Sequence, residues 1–437
     1  MVPFHRMAPP SAAGQAWHTC RRVFACGVLL AFPVALATPA HADQPAPAAA
    51  TPWVQPGATL QSVLTIARQL SPDLAARALD EEAARARVGV AGSLPDPTVS
   101  ITSDQLDHKL IYSVGQDIPL WGKRTLRREA AEAEVGAKAA DLRDAETALS
   151  ERVRLAFALY YQSYRALQAT RGLRPVLAGV ARAARQRYAA NLAPQQDVIR
   201  AELETTRLSS EIARLEGSLR GAQGRLNALL LRPADAPLAM PQILPPLPPP
   251  GRLDVGRLVD RAQAANPALA ANSALIRAAD RNAQLARRDW YPDISVSAGA
   301  TNRTDTGANG YLVTIGVKLP LQWGLHAGQV RDAAAQAGAA RARLDATEQQ
   351  IRGDLAAAAA ALEASRGSGE ITRRQLIPQA NAALHSAIAD YATGKIELAS
   401  VLRAERELVS IRIELLSIEL DQQRQLAAIE RLIGSDL

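Results

Sequence analysis

The two halves of the chain carry the same series of motifs, and this duplication restricts the possible folds more than any other feature. The offset between matched positions drifts only from 195, between Ser71 and Asn266, to 203, between Tyr188 and Tyr391. A preserved order with a nearly constant offset indicates tandem duplication. The matched motifs are SPDL (71–74) with NPAL (266–269), LPDP (94–97) with WYPDI (290–294), IPLWG (118–122) with LPLQWG (319–324), and RYAANLAPQQDV (187–198) with DYATGKIELASV (390–401).

Each repeat is predicted to contain a helix, two strands, a long helix, a break and another helix. Alternation of apolar and polar residues is typical of strands with one apolar face. It predicts hairpins at about 96–119 and, more clearly, at about 292–320. The alternating apolar residues are Val99, Ile101, Tyr112, Val114 and Ile118 in the first repeat, and Ile294, Val296, Ala298, Ala300, Tyr311, Val313, Ile315, Val317 and Leu319 in the second.

The helices that follow the hairpins are predicted to be longer than a globular domain requires. About 68 residues separate Gly122 from the break near 188–194, which corresponds to roughly 100 Å of helix. The helices predicted at 59–92 and 195–231 together have nearly the same length. We therefore expect one long helix beside two shorter helices stacked end to end, with the spacing of a coiled coil. The equivalent residues Pro175 and Pro378 are expected to kink the long helices. They could instead mark the turns between helices, but the matched helix lengths favour the later break.

Aromatic residues lie at both ends of the predicted strands. Strands of membrane β-barrels have this length and carry aromatic residues at the two membrane interfaces. Four strands cannot close a barrel, and an open sheet edge cannot lie in lipid. If the hairpins lie in a membrane, several copies of the chain must therefore contribute to one barrel. The predicted interface aromatics are Tyr112, Trp121, Trp290, Tyr291, Tyr311 and Trp323.

The segments outside the repeats are predicted to be a leader, an extended segment and a linker. Arg21 and Arg22 precede an apolar run, and Ala-His-Ala at 40–42 has the form of a secretory cleavage site. Eight prolines between 232 and 251 predict an extended, semi-rigid linker. The predicted boundaries are 1–42 for the signal peptide, 43–58 for the extended segment, 59–231 for the first repeat, 232–253 for the linker and 254–434 for the second repeat.

The composition excludes several further classes of function. Both cysteines, Cys20 and Cys26, lie in the leader, so a mature chain would have no disulfide. Lipidation at Cys26 is disfavoured, because this residue begins the apolar run rather than ending it. Without the leader, which holds three arginines and no acid, the net charge of +7 falls to +4 and gives no indication of nucleic acid binding. No later segment is apolar enough for a membrane-spanning helix.

No catalytic, metal or cofactor site is predicted, and the chain is interpreted as not being an enzyme. It contains no P-loop, nucleophile elbow or dinucleotide fingerprint. The histidines after the leader, His108, His326 and His385, have no ligand-type residue near them at metal-binding spacing.

A basic cluster follows the first hairpin. It contains Lys123, Arg124, Arg127 and Arg128. It could contact lipid headgroups, or it could be an ordinary solvated start of a helix. The second interpretation is favoured, because the second repeat carries only His326 and Arg331 in the same region.

With these features the chain resembles the TolC-like outer-membrane efflux proteins. The resemblance covers about 59–434 and rests on the duplication, the Tyr-x-x-Gly break and the strand-to-helix junctions at Pro119, Gly122, Pro320 and Gly324. It implies a mainly helical trimer in which four strands per chain form a 12-stranded barrel in the outer membrane of a Gram-negative bacterium. The long helices would form a coiled-coil tunnel in the periplasm.

The resemblance also implies partners. These are two further copies of the chain, outer-membrane lipid, a periplasmic adaptor protein and an inner-membrane resistance–nodulation–division pump. The form IPLWGKR is similar to the heavy-metal branch, the outer component of cobalt–zinc–cadmium type resistance systems. The same duct could instead serve drugs, solvents or type I protein secretion. A periplasmic adaptor or structural rod is a further alternative, although an adaptor would carry a lipoyl-like or barrel domain between its helices.

The resemblance places a narrow periplasmic entrance at the Tyr-x-x-Gly turns and the helix starts that follow them. Asn191 stands where the family has Gly, and Asn also tolerates positive φ, so a turn is retained. Ser400 stands where the family often has an acid, so an acidic ring would have one carboxylate per subunit, from Asp197. Asp197 could equally be an ordinary acid at a helix N-terminus. The implied entrance residues are Tyr188, Asn191 and Asp197 in the first repeat, and Tyr391, Gly394 and Ser400 in the second.

Overall fold

The computed structural model describes residues 56–104, 109–303 and 306–437. The chain divides into two units, Met1–Pro52 and Trp53–Leu437, and all described residues belong to the second. The predicted signal peptide, most of the predicted extended segment and His108 lie outside the described residues.

The two repeats contain the same elements in the same order within these ranges. The first repeat contains α1 (Leu60–Leu70), α2 (Pro72–Gly92), β1 (Thr98–Asp104), β2 (Lys109–Ile118), α3 (Lys123–Arg171), α4 (Arg174–Ala189) and α5 (Gln195–Leu229). The second repeat contains α6 (Val255–Ala265), α7 (Pro267–Arg288), β3 (Asp293–Arg303), β4 (Asn309–Lys318), α8 (Trp323–Ile371), α9 (Ile377–Thr393) and α10 (Leu398–Ile433).

The helix predicted over 59–92 is two helices, so that prediction is wrong. A proline disfavours helical backbone at the residue before it, which here is Ser71. The Ser71 side chain also caps α2, because its Oγ accepts a hydrogen bond from the backbone N of Leu74 at 3.3 Å. Asn266 caps α7 in the same way, with a bond of 3.0 Å from the backbone N of Leu269. The SPDL and NPAL motifs therefore start a new helix in each repeat.

Both long helices are interrupted just before Pro175 and Pro378, where the kinks are expected. In the first repeat a turn at 172–173 separates α3 from α4. In the second repeat the segment Thr372–Leu376 is π-helical and connects α8 to α9. Proline lacks the N–H that would bond the carbonyl one turn earlier, and its ring clashes with that carbonyl. The helical geometry therefore changes before each proline.

The strands form one antiparallel sheet in the order β1-β2-β3-β4. Ile101 lies opposite Tyr112, Tyr112 opposite Ala300, and Ala300 opposite Tyr311. These four residues therefore form one row across the sheet, on the same face. The two hairpins are thus joined side by side through β2 and β3. β1 and β4 are the sheet edges and have no further strand partner among the described residues.

One face of the sheet is apolar, and the other carries mainly hydroxyl groups and glycine. Alternation along the strands and the pairing register assign each residue to a face. The apolar face contains Val99, Ile101, Leu110, Tyr112, Val114, Ile118, Ile294, Val296, Ala298, Ala300, Tyr311, Val313, Ile315 and Val317, with Gln116 and, at the end away from the helices, Ser103, Asn302 and Asn309 as polar exceptions. The opposite face contains Thr98, Ser100, Thr102, Asp104, Lys109, Ser113, Gly115, Asp117, Asp293, Ser295, Ser297, Gly299, Thr301, Arg303, Gly310, Thr314, Gly316 and Lys318, with Ile111 and Leu312 as apolar exceptions.

The helices attached to the sheet keep the order of the strands. α3 packs between α2 and α7, and α8 packs on the other side of α7. Small residues fill much of this packing, as Ala130, Ala137, Ala274 and Ala278 are all buried. The strand order therefore continues below the sheet as a layer of helices, α2-α3-α7-α8.

Three apolar clusters form the core of the helical part. One joins α1, α3 and α5 of the first repeat around Phe157 and Leu226. Its counterpart joins α6, α8 and α10 of the second repeat around Leu355 and Ile429. The third combines residues of α3, α4, α5, α9 and α10, including Tyr391, and so holds the two repeats together at the end away from the sheet.

The proline-rich linker is extended and packs along both repeats. The Nδ2 of Asn227 donates to the carbonyl oxygens of Ala234 and Ala236, at 3.1 and 2.8 Å. Further along, the Nε2 of Gln423 donates to the carbonyl oxygen of Pro245 at 2.9 Å. The prolines of the linker have no N–H, so the linker cannot satisfy its carbonyl oxygens with its own backbone. Side chains from both repeats donate to these carbonyl oxygens instead.

Candidate functional site

The first strand-to-helix junction contains two consecutive residues with positive φ. Trp121 has a φ of 60° and Gly122 a φ of 74°, and α3 begins immediately after them. Positive φ is unusual for a residue with a bulky side chain, and two long-range contacts hold it. The Trp121 Nε1 donates to the carbonyl oxygen of Pro292 at 2.8 Å. The backbone N of Leu120 donates to Asp293 Oδ1 at 3.1 Å.

Lys123 connects the two hairpins from a buried position. Only 2% of this residue is exposed. Its Nζ lies 2.9 Å from Asp293 Oδ2, 2.9 Å from the carbonyl oxygen of Tyr291, and 3.7 Å from Asp289 Oδ1. The neighbouring Arg124 donates to the carbonyl oxygen of Gly92 at 2.7 Å. The prediction of a solvated helix start is therefore wrong for Lys123 and Arg124.

The second junction differs from the first. Trp323 begins α8 and Gly324 lies inside this helix, without the positive φ of Gly122. Leu325 stands where the first repeat has Lys123, so no equivalent ion pair forms. The ring of His326 lies 5.8 Å from that of Trp290. The duplication therefore repeats the order of strand, junction and helix, but neither the backbone conformation nor the side-chain contacts of the first junction.

The predicted interface aromatics are all exposed on the single chain. Trp121 and Tyr291 pair with ring centroids 5.3 Å apart, at the end of the sheet next to the helices. Tyr112 and Tyr311 both lie opposite Ala300 on the apolar face. The six residues are Tyr112, Trp121, Trp290, Tyr291, Tyr311 and Trp323.

The two Tyr-x-x-Gly turns have the same backbone geometry. Asn191 has a φ of 57° and Gly394 a φ of 81°, so Asn does take the left-handed conformation of the glycine. In the first turn the backbone N of Leu192 donates to Arg187 O at 2.8 Å. In the second, Lys395 N donates to Asp390 O at 2.9 Å. Both pairs have the offset of 203 residues found in the sequence.

Tyr391 links the two turns within one chain. It is 3% exposed, whereas the equivalent Tyr188 is 45% exposed. Its hydroxyl donates to Asp197 Oδ2 at 3.4 Å, and the guanidinium of Arg187 lies 5.3 Å from its ring centroid. Burial, and then the Asp197 carboxylate, raise the pKa of Tyr391, so the hydroxyl keeps its proton. Arg187 also donates to the carbonyl oxygen of Ala392 at 3.2 Å.

Asp197 and Ser400 occupy equivalent positions. Each is the third residue of its helix, and each backbone N donates at 3.0 Å to the residue that precedes the helix, Pro194 or Glu397. Both residues are half-buried. The structure therefore brings Asp197 to Tyr391, as described above, and places Ser400 at the matching site of the second repeat.

Sequence reasoning missed a charged cluster on α5 and α10. Glu204 is buried and accepts from Arg406 Nε at 3.0 Å and from Arg207 Nη1 at 3.4 Å. The hydrogen bond from Arg406 lowers the pKa of Glu204. Glu405 is 3% exposed, and burial followed by the nearby Glu204 carboxylate raises its pKa to about 7. The sequence did contain a signal that Glu405 is buried, because Glu405 continues the apolar spacing of Leu398 and Leu402 on α10.

The described residues provide no metal centre and no membrane-spanning helix. In this part of the chain, no three His, Cys, Asp or Glu side chains lie close enough together to hold a metal ion. His326 and His385 lie on different helices. Nor does any described helix combine the length and the apolar character needed to cross a membrane.

Comparison with protein families gives one match in each repeat. The model of the outer membrane efflux protein family matches residues 63–230 and 258–435. The chain belongs to the outer membrane efflux protein family. This efflux protein is 27% identical over 391 residues to the cobalt-zinc-cadmium resistance protein CzcC of Cupriavidus metallidurans, covering 86% of this chain and 90% of CzcC.

Solved outer-membrane channels have the same fold as this efflux protein. The structure of CusC aligns with a TM-score of 0.74 at 17% identity, covering 86% of this chain and 92% of CusC. The structure of VceC from Vibrio cholerae aligns with a TM-score of 0.73 at 21% identity, covering 86% of this chain and 96% of VceC.

These similarities confirm the predicted fold class and location. The protein is a TolC-like efflux channel with a helical barrel and a β-barrel to which each chain contributes four strands. It lies in the outer membrane of a Gram-negative bacterium, with its helical part in the periplasm. It is a channel and not an enzyme, and the alternative of a periplasmic adaptor or rod is removed.

Proposed function

We propose that this efflux protein is the passive outer duct of a tripartite export system for divalent heavy-metal cations. The observation that supports this cargo is the similarity to CzcC, whose name states cobalt, zinc and cadmium resistance and which aligns over 90% of its length. An inner-membrane resistance–nodulation–division pump would supply the energy, and a periplasmic adaptor would connect the pump to the duct.

The geometry of the sheet supports the role of a duct. One face is apolar and suits contact with lipid, and the opposite face is lined by Ser, Thr and Gly and suits a water-filled lumen. The free edges β1 and β4 must be paired in a membrane, because unpaired backbone N–H and C=O groups are costly in lipid. A trimer satisfies this requirement by pairing β4 of each chain with β1 of the next. The exposed aromatics would then contact the membrane interfaces.

The two turns at the far end of the helices form the proposed periplasmic entrance. It comprises Tyr188, Asn191, Asp197, Tyr391, Gly394 and Ser400. With one Asp197 per subunit, a trimer has a ring of three carboxylates, and rings of charge bias the ions that enter a pore. Asp197→Asn should lower the preference for cations in single-channel recordings. An unchanged reversal potential in this variant would show that Asp197 does not set the cation preference.

The cargo can be tested by measuring metal in cells. A deletion strain and its complemented derivative are challenged in turn with zinc, cobalt, cadmium, nickel and copper, and cellular metal is measured by mass spectrometry. We expect the deletion strain to retain at least one of these metals and the complement to restore the normal content. Equal metal content in both strains would refute metal as the cargo, and would direct the search to drugs, solvents or secreted polypeptide.

A further inference from the structure

Two unpaired charges of opposite sign lie on the hydroxyl-lined face of the sheet, near the end that joins the helices. Asp117 is on β2 and Lys318 is on β4, and both residues are exposed. Neither side chain forms an ion pair or a hydrogen bond in the part of the chain that the structure describes. Asp293 on the same face differs, because Lys123 neutralises it at 2.9 Å.

The register fixes the relative positions of the two charges. Asp117 lies opposite Ser295, which lies opposite Gly316, so Asp117 and Gly316 are level. Lys318 is two residues further towards the helices on β4. Two strand spacings separate β2 from β4, which is about 10 Å across the sheet, and two residues along β4 add about 7 Å. The charges are therefore too far apart to pair directly, but both face the same space.

Closure of the barrel by three copies turns these positions into a ring. With the strand order β1-β2-β3-β4 repeated around the barrel, β2 and β4 alternate at every second strand. Asp117 and Lys318 then alternate around the wall, with equal numbers of negative and positive charges. Of the other charged residues of this face, Asp293 lies directly opposite Lys318 and is paired with Lys123. Asp104, Lys109 and Arg303 lie at the opposite end of the strands and have interactions of their own.

We propose that Asp117 and Lys318 together set the ion preference of the barrel segment, each compensating the other. This inference rests on the proposed duct, because it requires the hydroxyl-lined face to surround the permeation path. A unit charge about 10 Å from an ion in water changes the local ion concentration about twofold. Removing one member of the ring should therefore leave a visible excess of the other sign, and removing both should restore the balance.

The test measures reversal potentials of the purified full-length protein in planar lipid bilayers under a potassium chloride gradient. Asp117→Asn should lower the ratio of cation to anion permeability by about twofold, and Lys318→Gln should raise it by about twofold. The double variant should return to the wild-type ratio. Both shifts should fade towards 1 M salt, where charges are screened over roughly 3 Å.

Asp235→Asn provides the matched control. It removes the same charge from an exposed position on the linker, away from the sheet. Its ratio should equal that of the wild type. Asp96, which precedes β1, is present in every variant and so does not affect the comparison.

The outcomes separate this inference from the proposed duct. Channels that conduct but keep the wild-type ratio in both single variants would overturn the roles of Asp117 and Lys318 while leaving the duct intact. Shifts of the same sign in both variants would also overturn them. A correctly inserted protein without any conductance would refute the duct, and this inference with it.

Discussion

Glu405→Gln should stabilise the helical end of the protein at neutral and alkaline pH. The Glu405 side chain lies in the core where α10 packs against the other repeat, at 3% exposure. Its pKa is raised from 4.5 to about 7, first by burial and then by the Glu204 carboxylate. Because the folded state raises the pKa of this acid, ionisation opposes folding. The cost is absent below about pH 4.5, grows between the two pKa values, and is complete above about pH 7.

The size of the effect follows from the shift. Each pKa unit corresponds to about 1.4 kcal/mol, so the ionised Glu405 costs up to about 3 kcal/mol per subunit. Gln has nearly the shape of a neutral Glu and never ionises. The variant and the wild type should therefore have equal stability near pH 4.5. Above pH 7 the variant should be more stable by up to about 3 kcal/mol, or about 4 °C in Tm for a chain of this length.

The assay is thermal unfolding of the purified protein in detergent, followed by circular dichroism at 222 nm between pH 4.5 and 8.5. The quantity to compare is the difference in Tm between the two proteins at each pH. The effect of groups that titrate in both proteins cancels in this difference. Glu407→Gln is the matched control, since Glu407 lies two residues further along the same helix and is exposed. A pH-independent difference for Glu405→Gln, or a variant less stable than the wild type at pH 8, would refute the reasoning.

Further predictions concern the sheet and its junction. Lys123→Met should destabilise the protein by about 1–3 kcal/mol, because it leaves the half-buried Asp293 carboxylate without its buried partner. The melting temperature measures this, and the exposed Lys395→Met should change little. In a chain without other cysteines, Ser113→Cys should react with a membrane-impermeant thiol reagent in the intact outer membrane, whereas Val114→Cys should not, because lipid covers it. Equal labelling of the two positions would contradict the assignment of the faces.

Local patterns in the sequence were sufficient to predict the elements around the site. The two hairpins follow from alternation over consecutive residues, and the two helix breaks contain residues that tolerate positive φ, Asn191 and Gly394. The family resemblance was confirmed by the family model, which matches the chain once in each repeat. These features depend on neighbours in the chain, which a sequence displays directly.

Contacts between distant residues could not be predicted in the same way. The burial of Lys123 depends on β2 pairing with β3, which brings Asp293 to the start of α3 across 170 residues. A run of basic residues at a helix start looks solvated until that pairing is known. The break at Ser71 was different, because the serine cap and the proline that follows it are both visible in the sequence.

In the proposed trimer, the two junctions have different neighbours. β2 has β3 of the same chain beside it, so Lys123 can reach Asp293 within one folded subunit. In a barrel of three copies, β4 has β1 of another copy beside it. There the residues equivalent to Lys123 and Asp293 are Leu325, which is 52% exposed on the single chain, and Asp96.

A buried ion pair at the boundary between copies would require two charges to lose water during assembly, and the attraction between them often fails to recover that cost. An apolar residue has no such penalty, and its burial favours association. The ion pair is therefore confined to the junction that forms within the chain, and leucine occupies the junction that forms between chains. Closure of the barrel by separate copies, as in the proposed trimer, would account for the difference between the two junctions.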